Sequence, residues 1–264
     1  MENKPCLDEP GEYPPAIRVL TGQLAADRGS AGIVLVGSAS RGQNDKHSDY
    51  DLQLISDDAV FSLLKTEELL ETRELPACRV EIQRTSTGDF LSLKRSPRDC
   101  DHWPYQSARI LYDRDGMVSR EIELIRAMAP ELQASRLRLH LFEFYFYANR
   151  MQALVDRKDR LNLLLVSGQI AQSAAALALV SRGKWPPLLH WSAQELRGEQ
   201  KGALALAVEN MLNSPGPERV EALKLALLED LCADGHEELL TDVSGMARVS
   251  SPYFRSVRES FGRL

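Results

Sequence analysis

Asp49 and Asp51 open an alternating run, Asp49-Tyr50-Asp51-Leu52-Gln53-Leu54-Ile55. In an extended chain successive side chains point to opposite faces. Asp49, Asp51, Gln53 and Ile55 therefore share one face, and Tyr50, Leu52 and Leu54 share the other. Two carboxylates so close repel each other, and a divalent cation relieves that repulsion. Mg²⁺ favours carboxylate oxygens combined with phosphate oxygens and water. Gly37-Ser38 precedes the pair, with ten residues between Ser38 and Asp49. Gly37 lets the backbone approach a ligand closely. Ser38 adds a hydroxyl, and a helix beginning within 39–42 would turn its N-terminal amides toward a phosphate.

A third carboxylate, Glu81, lies in Arg79-Val80-Glu81-Ile82-Gln83-Arg84-Thr85. Strand alternation puts it on the face opposite Val80 and Ile82. It reads as a further metal ligand; the other reading is a surface Glu beside Arg79 or Arg84 on a sheet edge. Asp99-Cys100-Asp101-His102 resembles a metal cluster on paper, but beside Pro97, Trp103 and Pro104 it reads as a charged loop. Such loops commonly line clefts. Glu143, among Phe142, Phe144, Tyr145, Phe146 and Tyr147, is either a solvated helix Glu or a carboxylate for base chemistry.

These residues need elements to hold them. Residues 15–27 show helical spacing through Ile17, Leu20, Leu24 and Ala25. The apolar run 33–36 suits a buried strand ending at Gly37. Further strands are expected at 49–55, 79–85 and 108–112, and helices at 58–71 and at 87–94, the latter capped by Thr87. Past residue 117 the strand signals stop. Leu137, Leu141, Phe144, Ala148, Met151 and Val155 mark one amphipathic helix. A second apolar helix at 160–181 is stopped by Gly183-Lys184-Trp185-Pro186-Pro187. Helical patterns resume at 192–198, 202–213 and 216–232, and weakly at 251–263. The expected fold class is α+β: a flexible lead-in over 1–14, a mixed-sheet domain over 15–125, and an all-helical domain over 126–264.

The chain has 264 residues, 44% of them hydrophobic, which suits a packed core rather than global disorder. A net charge of −6 argues against an extended nucleic-acid clamp, so no template is expected. Cys6, Cys78, Cys100 and Cys232 form no Cys-x-x-Cys pair and read as reduced thiols of a cytoplasmic protein. The polar, Pro-rich start has no apolar core, so no signal peptide is expected. Asn162, Gln169, Gln172 and Ser173 interrupt 161–180, so no membrane span is expected.

Gly37-Ser38, Arg41-Gly42, Ser48-Asp49-x-Asp51-Leu52 and the later Glu81 resemble the polymerase-beta-like nucleotidyltransferase superfamily. They look like its small prokaryotic branch, which includes the aminoglycoside and lincosamide adenylyltransferases. Ala108-Arg-Ile-Leu-Tyr-Asp-Arg-Asp-Gly116 also looks like a recurring stretch of that branch. The resemblance covers about residues 15–116. It implies transfer of an NMP, AMP from ATP or its counterpart from another NTP, onto a hydroxyl of a small molecule. It further implies two Mg²⁺ ions on Asp49, Asp51 and Glu81, and a triphosphate tail held by Gly37 and Ser38. Arg41 becomes a candidate triphosphate contact, the other reading being a solvated helix Arg. Lys184, in the break after a long helix, becomes another; otherwise it is a helix-terminal Lys suited to the dipole. His47 could touch phosphate or simply be exposed. The branch allows a homodimer. Arg136, Arg138 and His140 do not give the Arg-x4–6-His motif of HEPN ribonucleases. Two other functions remain open: AMP transfer onto a partner protein, and a non-catalytic nucleotide-binding module.

Overall fold

The computed structural model describes residues 13–45, 47–76, 78–199 and 202–241. The chain divides into two compact units, Met1–Ala127 and Met128–Leu264. The described part of the first unit runs α1 (Pro15–Ala26), β1 (Ser30–Val36), α2 (Gly37–Ser40), β2 (Tyr50–Ser56), α3 (Asp58–Phe61), β3 (Leu70–Leu75), β4 (Cys78–Ser86), α4 (Thr87–Ser92), α5 (Asp99–His102), β5 (Arg109–Asp113) and α6 (Met117–Arg126). Its five strands form one mixed sheet in the order β3-β4-β2-β1-β5. β2 and β4 are parallel; the other three pairings are antiparallel.

Alternation gives this sheet two apolar faces. α1 lays Ile17, Leu20 and Leu24 on one, against Ile33, Leu35, Leu52, Leu54, Val80, Ile82 and Leu111. On the other, Val34 and Ile55 pack with Phe90, Tyr105, Val118, Ile122 and Ile125. α6 sits close enough that a Cβ on Gly32 would lie 2.3 Å from a Val118 methyl. Val36, at the carboxyl end of β1, packs against this second cover but is only half-buried.

Several sequence expectations need correction. The helix expected over 58–71 is α3, a 3-10 turn at Thr66–Glu68, and then strand β3. β3 lies at the sheet edge, so its alternation needs no strong apolar face. α4 is capped by Ser86, whose Oγ accepts from the Asp89 amide at 2.9 Å, and not by Thr87. The Thr87 hydroxyl donates instead to the Ser56 carbonyl. Asp99–His102 is helix α5 rather than a loop, followed by a 3-10 turn, Trp103–Ser107.

The second unit contains α7 (Pro130–Ala148), α8 (Met151–Asp156), α9 (Arg160–Val180), α10 (Ser192–Gly198), α11 (Gly202–Asn213), α12 (Pro217–Ala233) and α13 (Glu237–Thr241). The amphipathic helix expected through Val155 breaks at Asn149-Arg150, and Met151 starts α8. α9 is the centre of the bundle, in contact with α7, α8, α10, α11 and α12. By length and composition α9 is apolar enough to cross a membrane, against the sequence expectation, because Ala, Leu and Val outweigh its polar interruptions. From Ser173 to Val180 it is buried throughout. The weak helical pattern at 251–263, and most of the expected lead-in, lie outside the described residues.

Candidate active site

The parallel register of β2 and β4 sets Asp51 directly beside Glu81. Across the antiparallel β1–β2 pair, Asp51 faces Val36, the last residue before Gly37. Val36, Asp51, Glu81 and Thr72 thus form one row across four strands. Asp49 lies one residue before β2 and is half-buried like Asp51 and Glu81.

Gly37 explains itself by contact. Its φ is +73°, and a Cβ there would sit 1.8 Å from Asp51 Oδ2. Only glycine leaves room for that carboxylate against the turn. The turn continues as α2, a single helical turn with Ser38 buried. Ser40 Oγ and Arg41 Nη1 both donate to the Gly37 carbonyl, each at 2.9 Å. The Arg41 guanidinium also stacks on the Trp103 indole, 3.7 Å from the ring centroid. The loop back to Asp49 is pinned by Asp45, whose Oδ1 accepts from the His47 amide at 2.8 Å and from Ser48 Oγ at 3.0 Å. These bonds hold the exposed Asp45 carboxyl below its usual range. The His47 side chain is exposed.

Burial pushes the Asp51 carboxyl up to about 6, and the charges of Asp49 and Glu81 add to that; Arg41 pulls the other way. The Asp51 carboxylate therefore feels both of the others. Among the described residues no three His, Cys, Asp or Glu side chains are already drawn into a metal cage. The donor set still fits Mg²⁺, which takes few protein carboxylates and completes its shell with phosphate oxygens and water.

Residues 17–104 match the family model described as "Nucleotidyltransferase domain". Residues 17–104 of the first unit are thus similar to a nucleotidyltransferase domain. The match spans every strand of the sheet except β5, and so holds Gly37, Ser38, Asp49, Asp51 and Glu81. Among solved structures, a nucleotidyltransferase-like protein from Exiguobacterium sibiricum 255-15 is similar at 15% identity and a TM-score of 0.47, over 94% of this chain and 88% of that one. No curated protein matches.

Some neighbours of this carboxylate site are not singled out by the motif. Tyr105 Oη donates to Gln53 Oε1, two residues along the strand face from Asp51. Burial raises the Tyr105 hydroxyl well above the usual phenol range, so it stays a donor. Alternation alone places Gln53 on that face; nothing in the sequence pairs it with Tyr105. The same holds for Arg41 and Trp103. Asp101 is engaged by Arg98 at 2.8 Å and by Ser96, so the Asp99–His102 stretch is tied up structurally. In the second unit Lys184 Nζ is ion-paired with Glu199. Glu143 Oε2 lies 3.3 Å from His140 Nδ1.

Proposed function

We propose that this protein is a metal-dependent nucleotidyltransferase that moves an NMP, AMP from ATP in the first instance, onto a hydroxyl of a small molecule of the aminoglycoside or lincosamide type. The observation that carries this reading is the row that sets Asp51 against Glu81 and beside Gly37, within a stretch matching the nucleotidyltransferase domain. Asp49, Asp51 and Glu81 would hold the divalent ions. Bound there, such ions neutralise the triphosphate and lower the pKa of the acceptor hydroxyl.

The chain's own residues supply the rest. Gly37 lets the Asp51 carboxylate lie against the turn, where a larger side chain at position 37 would displace it, and the Gly37–Ser38 turn would hold the phosphate tail beside that carboxylate. Arg41, tethered at the same turn, offers positive charge for the leaving pyrophosphate. The acceptor oxygen forms its bond to the α-phosphorus as the bond to the pyrophosphate oxygen breaks, and the hydroxyl proton passes to solvent or a base. Lys184, engaged by Glu199, has no part in this proposal.

The test is incubation of the protein with each labelled NTP, Mg²⁺ and a panel of antibiotics and bacterial proteins, read by mass shift. The Asp49→Asn/Asp51→Asn protein is the control. A nucleotide added to an antibiotic by the wild type alone supports the reading. Equal behaviour of both proteins on every acceptor overturns the chemistry. Modification of a protein alone keeps the chemistry and removes the antibiotic.

A further inference from the structure

Arg41 follows α2 directly and is held from two sides. Nη1 donates to the Gly37 carbonyl, and the flat face of the guanidinium lies on the Trp103 indole. A free arginine side chain loses considerable rotamer freedom when it grips a ligand, and a stacked one has lost it beforehand. Stacking engages the face of the guanidinium, so the tilt of the indole sets the plane in which its N–H donors lie.

The indole is itself fixed. Trp103 is 4% exposed and opens the 3-10 turn that follows α5. The preceding residue, His102, is buried between two backbone carbonyls, with Ile125 O 2.8 Å from Nδ1 and Ser96 O 2.9 Å from Nε2. Two residues further on, Tyr105 is anchored to Gln53 on β2. The turn is thus fastened on both sides of the indole.

We propose that Trp103 is a positioning residue of the site: its indole sets the plane of the Arg41 guanidinium so that the in-plane donors meet the phosphate tail of a nucleoside triphosphate. This rests on the proposed function, because it needs a triphosphate at the Gly37–Ser38 turn.

The experiment uses magnesium tripolyphosphate as a probe that carries no nucleobase, with binding followed by calorimetry on the full-length protein. Trp103→Leu and Arg41→Ala should each weaken binding about tenfold. Trp103→Phe should bind like the wild type, since a flat ring is kept. The double variant Arg41→Ala/Trp103→Leu should be no weaker than Arg41→Ala alone, because the indole acts through the arginine. Additive losses, or a Trp103→Leu protein that binds like the wild type, would overturn the proposal. If Trp103→Leu does not fold, fluorine NMR of fluorotryptophan-labelled protein decides, with the Trp103 signal assigned by its loss in Trp103→Phe. That signal should move in Arg41→Met, and tripolyphosphate should move it only while Arg41 is present. An unmoved signal in both cases overturns the proposal. A wild type that does not bind tripolyphosphate, or binds it equally after Asp49→Asn/Asp51→Asn, overturns the nucleotide-site reading and this inference with it. Binding that needs the aspartates but ignores Trp103 overturns this inference alone.

Discussion

Under α1 the sheet presents Tyr50, Leu52 and Leu54 of β2 and Val80 and Ile82 of β4, all buried. One residue out of phase, the same strands present Asp51, Gln53 and Glu81 on the opposite face, where cover is incomplete. Since the side-chain period of a strand is two, a slip of one residue would exchange these sets. The apolar face specifies the register with the free energy of burial. The polar face takes its geometry from that register while adding repulsion of its own. The comparison shows how a fold can hold like charges together: the holding force comes from the other side of the sheet.

The two faces should therefore fail differently. The largest effect is expected for Asp51→Asn, which should lower nucleotide transfer about a thousandfold, some 4 kcal/mol of barrier. Its thermal midpoint should not fall, since repulsion with Asp49 and Glu81 is relieved. A midpoint several degrees lower would show Asp51 to be a structural residue. Leu52→Ala, its neighbour on the covered face, should reverse the pattern. It should lose about 2–5 kcal/mol of stability in denaturant titration, with transfer by the remaining folded fraction little changed.

Gly37→Ala joins the two faces in one substitution. Its backbone is left-handed, and its Cβ would displace the Asp51 carboxylate. It should lower stability by about 1–3 kcal/mol and also cut transfer. Full activity in a stable Gly37→Ala protein would mean that Asp51 has freedom the packing denies.

The smallest expected effect is on pH. Asp51 is raised from 3.8 to about 6 in the folded, metal-free protein. Between those values the folded state binds a proton that the unfolded chain does not, so stability from this group is lost as pH rises through the window. Metal-free wild type should thus gain stability relative to Asp51→Asn as pH falls from about 6 toward 4, as unfolding midpoints would show. Binding of a divalent ion should strengthen as pH rises through about 6, because the ion needs the carboxylate. A wild-type minus Asp51→Asn difference that is flat across this range would refute the burial account.

How legible this was depends on the range of each signal. Period-two alternation carries β2 and β4, so Asp51 and Glu81 could be read as face residues from local sequence. Their adjacency could not, because it comes from parallel pairing across a crossover. β3 was hidden for a related reason. Leu70-Glu-Thr-Arg-Glu-Leu75 is rich in residues that suit helices, and an edge strand is held by its partner rather than by its own pattern. The cap of α4 moved one residue, to Ser86, since Ser and Thr side by side offer the same chemistry. Arg41 on Trp103, Tyr105 on Gln53 and Lys184 on Glu199 are tertiary contacts that composition does not encode.

The parallel β2–β4 pairing has a last consequence, in the order of events as the chain folds. β1, Gly37 and β2 are near neighbours in sequence and can form a hairpin-like unit early. Glu81 joins them only after α3 and β3 have been traversed and the crossover has closed, a step slowed by the entropy of the longer loop. Until then the partly folded chain carries two carboxylates with no third beside them. Metal-binding strength would grow in two stages during refolding, so the ion itself can report when the sheet is complete.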